Sequence, residues 1–174
     1  MDIYSSIFEL IDMRSFSNLW YWIGLAVLWS SASHWTMGVP YDLVMRARRV
    51  GGQSEQDLLD VARINSNRVL YIVETSGLVL MAICCFVLTG LATLGFFYDV
   101  EFAQAVFLLL LPMCFVMMIS IAAARRLQTQ EATVENVSKT LTRSRTFTQI
   151  IGMFSILITA FWGMYQNISI GVLG

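Results

Sequence analysis

Residues 69–97 read VLYIVETSGLVLMAICCFVLTGLATLGFF. The run is apolar from end to end except for one carboxylate, Glu74, and its length decides the fold class. About 20 helical residues cross a bilayer core of ~30 Å, so this stretch spans with residues to spare. Three more stretches have the same character, giving predicted spans at Asn18–Val39, Val69–Phe97, Glu101–Ala124 and Phe147–Gly171. The composition agrees: 57% of the 174 residues are hydrophobic and only 13% are charged, more apolar surface than a soluble domain of this size can hide. The expected fold is therefore an all-α integral membrane protein, a bundle of four transmembrane helices forming one domain over residues 1–174. The N-terminus has neither the basic start nor the small-residue cleavage site of a signal peptide, so the chain is expected to be kept whole.

Charge sets the orientation. Ten of the eleven Lys and Arg residues fall between spans one and two (Arg46, Arg48, Arg49, Arg63, Arg68) or between spans three and four (Arg125, Arg126, Lys139, Arg143, Arg145). The positive-inside bias places both loops in the cytoplasm and both termini outside, which for a bacterial inner membrane means the periplasm. Arg14 alone dissents. The short FFYDVE connection at 96–101 carries only Asp99 and Glu101, as suits the outer face. Trp20, Tyr21, Trp22, Phe96, Phe97, Tyr98, Trp162 and Tyr165 cluster at that end and predict an aromatic belt. Residues 1–14 place Ile3, Ile7, Leu10 and Ile11 at helical spacing among acids and serines, the pattern of a short interfacial helix. Basic and aromatic residues do not interleave, so nucleic acid is not an expected partner.

The two basic loops read as structured. Gly51 and Gly52 end one element, Ser54 is placed to cap the next, and Leu58, Leu59 and Val61 offer apolar contacts. The second loop lacks proline and glycine and predicts a polar hairpin that extends spans three and four beyond the membrane. Pro112 frees the carbonyl of Leu108 and predicts a kink in span three.

His34 and Glu74 each lie five residues inside the basic end of their spans, about 8 Å below the boundary at 1.5 Å per residue. Equal depth on adjacent antiparallel helices makes them a candidate intramembrane pair, either binding the bundle together or lining a pathway. Two stripes carry them: Ala26, Ser30, Ser33, His34 and Met37 on one span, and Glu74, Gly77, Met81, Ala82 and Cys85 on the other. In the fourth span Ser155, Thr159, Gly163 and Gln166 share a face suited to helix contact. Cys85, Met113, Cys114 and Met117 are weak candidates for soft Cu(I) ligation, set against the ordinary use of methionine and buried cysteine in packing. Disulfides are not expected for cysteines in mid-membrane. No zinc spacing, nucleotide loop or catalytic triad is visible, and no cofactor is expected.

Two resemblances add to this. FELIDMRSFSNLWYWIGLAVLWSSASHW, with the following GVPYD and the terminal WGMYQNISIG, resembles a group of small four-helix inner-membrane proteins of alphaproteobacteria, often labelled as a component of the Suf iron–sulfur assembly complex. That resemblance covers the whole chain and implies a bacterial, inner-membrane home. Four spans with outer termini, and a basic loop running into span two, are also similar to the trimeric membrane superfamily of eicosanoid and glutathione metabolism. There an arginine, an asparagine four residues on and an acid three later help bind glutathione. Arg63 and Asn67 match, while Leu70 stands at the acidic position and the long polar hairpin departs from the pattern. The expected function is an accessory, assembly or scaffold subunit of a larger membrane complex, with the lipid bilayer and other subunits or further copies as partners. Alternatives are a small homo-oligomeric channel or transporter with His34 and Glu74 at its inner mouth, or a glutathione-dependent membrane transferase.

Overall fold

A computed structural model of the chain describes residues 15–171; the interfacial helix expected over residues 1–14 lies outside the described residues. A short 3-10 turn, Ser15–Ser17, leads into α1, Leu19–His34. Strands β1 (Trp35–Thr36) and β2 (Val39–Pro40) follow, then α2, Tyr41–Val50, and α3, Gln53–Ala92. Helix α3 passes directly into a π-helical turn, Thr93–Phe97. Helices α4, Glu101–Thr129, and α5, Val134–Gly171, complete the chain.

Three helices, in α3 with its π turn, α4 and α5, are long and apolar enough to cross a membrane. Helix α1 is shorter than the span expected from Asn18 to Val39. Its 16 residues reach about 24 Å, and the reason it stops is a two-residue hairpin. Met37 (φ 58) and Gly38 (φ 74) are both left-handed, the backbone that a tight hairpin needs between twisted strands. Trp35 then pairs with Pro40 and Thr36 with Val39. Asn18 caps the other end of α1 by accepting a bond from the Trp20 N–H at 3.0 Å.

Asn65 of α3 holds the hairpin in place by donating to the Gly38 carbonyl at 3.0 Å. A Cβ on Gly38 would meet the Asn65 side chain at 3.2 Å, in a backbone conformation costing L-residues ~1–2 kcal/mol. Gly38→Ala is expected to lower the thermal midpoint in detergent, and Gly38→Ala with Asn65→Ala to recover only part of the loss, because the backbone cost remains.

The basic end is a packed layer of helices. Gly51 and Gly52, both at positive φ, end α2 and open α3. Gly52 takes the cap position of α3 with no side-chain bond, and Ser54, expected there, sits inside the first turn. The expected polar hairpin is present: α4 runs on to Thr129, and α5 begins at Val134, where Thr133 accepts from the Asn136 N–H at 3.3 Å. Val44, Ala47, Leu58, Ala62, Leu70, Ala123, Ala124, Val137 and Leu141 form one buried cluster there. Arg145 stacks its guanidinium on Tyr41 at 3.8 Å and so ties α5 to α2. Helix α4 is helical through Pro112.

Across the apolar part, α3 packs on α4, α4 on α5, and α1 on α5. The pairing of α1, and of the turn before it, with α5 uses glycines as seats for aromatic residues. A Cβ at Gly152 would lie 2.8 Å from the Trp29 ring, and one at Gly163 3.1 Å from Phe16. Ser155, Thr159 and Gly163 are buried on the same side of α5, so the expected small-residue face is filled within the chain. The most apolar window of α3 is 0% buried. Its covering is lipid or another protein surface.

Candidate functional site

Among the polar groups of the apolar region, two kinds bear on a site, those satisfied inside the chain and those left on its outside, while Trp29 Nε1 and Ser155 Oγ are buried without a partner among the described residues. The first kind converges on Gln104, which is 1% exposed. Its Nε2 donates to the Gly95 carbonyl at 2.8 Å, while its Oε1 accepts from Trp162 Nε1 at 2.9 Å and Gln166 Nε2 at 2.6 Å. The π turn brings Gly95 against α4, where a Cβ would lie 2.9 Å from the Gln104 N. One amide thus joins α3, α4 and α5 at the acidic end. Around it Glu101 accepts from the Phe16 N–H at 2.8 Å, Ser17 donates to Asn167 at 2.8 Å, and Trp22 donates to the Phe16 carbonyl at 2.9 Å. Trp22 and Trp162, expected only as belt residues, serve here as hydrogen-bond donors. Trp20, Phe97, Tyr98 and Tyr165 remain exposed, as belt residues are.

His34 and Glu74 belong to the second kind. Both side chains are exposed, and no hydrogen bond or ion pair joins them among the described residues. The reason lies in helix order: α1 turns Leu25 and Trp29 inward onto α5 rather than offering His34 to α3. Ala26 and Ser30 on α1, and Met81, Ala82 and Cys85 on α3, are likewise exposed, with Ser33 and Gly77 half-buried. The two stripes expected to face each other therefore lie largely on the outer surface of the chain. Only Met37 of that set is buried, in the hairpin turn.

Arg63 and Asn67 have local partners. Arg63 pairs with Asp60 at 3.1 Å in an exposed i,i+3 bridge, and Asn67 accepts from Gln128 of α4 at 3.3 Å. The sulfur atoms separate: Cys114 lies 3.0 Å from the Sγ of Cys84, whereas Cys85 and Met117 are exposed and Met113 is half-buried. Among the described residues no group of three or more His, Cys, Asp or Glu side chains is arranged to hold a metal.

At the basic end, α4 and α5 enclose a cleft of about 290 Å³ whose lining includes Arg126, Lys139 and Arg143 but no acid. Sequence reading placed these cations together in the second basic loop as an orientation signal, not as a site. Their signal was available in the i,i+4 spacing of Lys139, Arg143 and Phe147. Gln104 carried the same signal as Glu74, a polar side chain inside an apolar span, and went unread. Compared with family models, curated proteins and solved structures, the chain matches none.

Proposed function

We propose that the chain is a non-catalytic, multi-pass inner-membrane protein that serves as an accessory, assembly or scaffold subunit of a larger membrane complex. In this reading α1 and the hairpin form a fourth, shallower crossing beside the three long spans, with both termini on the periplasmic side.

The observation that carries the reading is the position of Glu74. Helix α3 leaves its water-side layer at Leu70, and Arg68 is its last basic residue; Glu74 follows about 9 Å further into the apolar run. A carboxylate there is costly to leave against hydrocarbon and normally faces protein or water. Nothing among the described residues covers it, and in this reading a neighbouring chain does. The exposed serines of α1 and the small residues flanking Glu74 suit close helix approach of that neighbour.

Purification from the native membrane in mild detergent, followed by native sizing and mass spectrometry, tests this directly. A second protein is expected in fixed proportion. Glu74→Leu is expected to leave the midpoint of the isolated chain nearly unchanged, since exposed substitutions stay within about ±0.5 kcal/mol, but to reduce the co-purifying partner severalfold. A homogeneous self-oligomer carrying nothing else would sink the reading and direct attention to transport assays.

A further inference from the structure

The cleft between α4 and α5 has a composition that ordinary packing does not call for. Arg126 enters from α4, and Lys139 and Arg143 stand one turn apart on α5. Like charges at i,i+4 repel, so an anion held among the three cations is favoured. The described residues do not supply one. The ion pairs among the described residues are Arg46 with Asp42 and Arg63 with Asp60, and neither involves the cleft. Glu131 and Glu135, the acids nearest in sequence, are exposed and absent from the lining.

Neutral donors sit beside the cations. Ser144 is 4% exposed, lines the cleft, and its hydroxyl has no hydrogen-bond partner among the described residues. Of the side chains buried without a partner among the described residues, Ser144 is the one that lines the cleft, so a ligand oxygen reaching it would give its hydroxyl an acceptor. Toward the apolar half of the two helices the lining changes to Ile119 and Phe147, and Arg143 already lies over the Phe147 ring at 5.6 Å. The site is thus cationic at its water end and apolar where it joins the spanning segments.

We infer that this cleft binds the phosphate headgroup of an anionic phospholipid, with Arg126, Lys139 and Arg143 on the phosphate, Ser144 beneath it, and the acyl chains leaving past Ile119 and Phe147. Paired cations and hydroxyl donors match phosphate oxygens, and basic pockets between spanning helices are suited to such headgroups. A soluble phosphate ester meets the same cations but makes no use of the apolar exit. The volume, near the lower end of the ~300–1,000 Å³ of small-molecule sites, fits a headgroup with the first part of its chains.

The test uses the full chain, purified and delipidated in neutral detergent. Phosphatidylglycerol is expected to bind and to raise the thermal midpoint, whereas phosphatidylcholine of the same acyl composition and inorganic phosphate at the same concentration do so weakly. Arg126→Gln with Arg143→Gln is expected to weaken phosphatidylglycerol binding about tenfold or more. Arg48→Gln with Arg49→Gln, which removes the same charge from exposed positions on α2 at the same end, serves as the control and is expected to leave binding unchanged. Three results would each overturn the inference: equal binding of both lipids, equal stabilisation by inorganic phosphate, or an equal effect of the two double variants. The cleft cations are exposed, so the double variant is expected to fold; its helix content and monodispersity check that.

Discussion

Gln104→Leu is expected to lower stability by about 2–4 kcal/mol, the largest single loss in the apolar region. The substitution keeps the size of the side chain and removes three hydrogen bonds at once, those with Gly95, Trp162 and Gln166. In a membrane a single interhelical hydrogen bond is worth only about 0.6–2 kcal/mol, because the separated helices find other partners. The larger figure arises because the carbonyl of Gly95, a buried residue, loses its side-chain donor and carries a desolvation penalty. At about 2–4 °C per kcal/mol for a chain of this length, the midpoint in detergent should fall by roughly 5–15 °C. Trp162→Phe removes one of the three bonds and should cost about 1 kcal/mol. If the two single variants and their double combination add without coupling, the Trp162–Gln104 bond contributes nothing and the account is wrong.

Gly152→Val is expected to detach α1 from α5. The first carbon of any side chain at 152 would lie 2.8 Å from Trp29 Cε3 and 3.1 Å from Cδ2. The indole is rigid and itself only 5% exposed, so it cannot swing aside as a flexible chain would. Overpacking of this kind costs about 1–3 kcal/mol. The variant should show a lowered midpoint and increased labelling of a cysteine introduced at Leu25, which is buried in the native chain. Adding Trp29→Phe should restore part of the loss by opening room for the valine. Gly24→Ala and Gly90→Ala, where a Cβ meets nothing within 4 Å, should be neutral or slightly stabilising through helix propensity. A Gly152→Val chain as stable as these controls would remove the ring-on-glycine contact from the explanation of the bundle.

Legibility from sequence followed the range of the interactions. The apolar runs of α3, α4 and α5, the glycine break at 51–52 and the helical extension of α4 and α5 past the membrane boundary rest on local patterns, and residues a few positions apart reveal them. The hairpin at 35–40 was half visible, in Gly38 and Pro40. What hid it is that Met37 adopts a left-handed backbone, which methionine does not advertise, and that its anchor Asn65 is 27 positions away. The His34 and Glu74 pairing rested on equal depth, and depth does not say which helices are neighbours. Cys114 was grouped with Cys85, Met113 and Met117 only as a weak soft-ligand set, and the sulfur it meets is that of Cys84, one residue and about 100° of helix from Cys85.

Composition, run length and the segregation of basic residues were enough, by themselves, to make this a helical protein with long apolar segments and two structured basic connections. Burying apolar surface and satisfying backbone hydrogen bonds within each segment are demands that every stretch meets alone, so they are written into it residue by residue. Which helix lies on which was decided only in three dimensions. That choice depends on a ring finding a glycine, as Trp29 finds Gly152, and on one amide reaching three partners, as Gln104 does. It also decides what is left outside, and so turns Glu74 from an internal partner of His34 into a group at the surface, and the cations of α4 and α5 into one cleft. Shape complementarity between distant segments has no periodic signature, and lipid, unlike water, gives apolar faces no general reason to choose one neighbour over another.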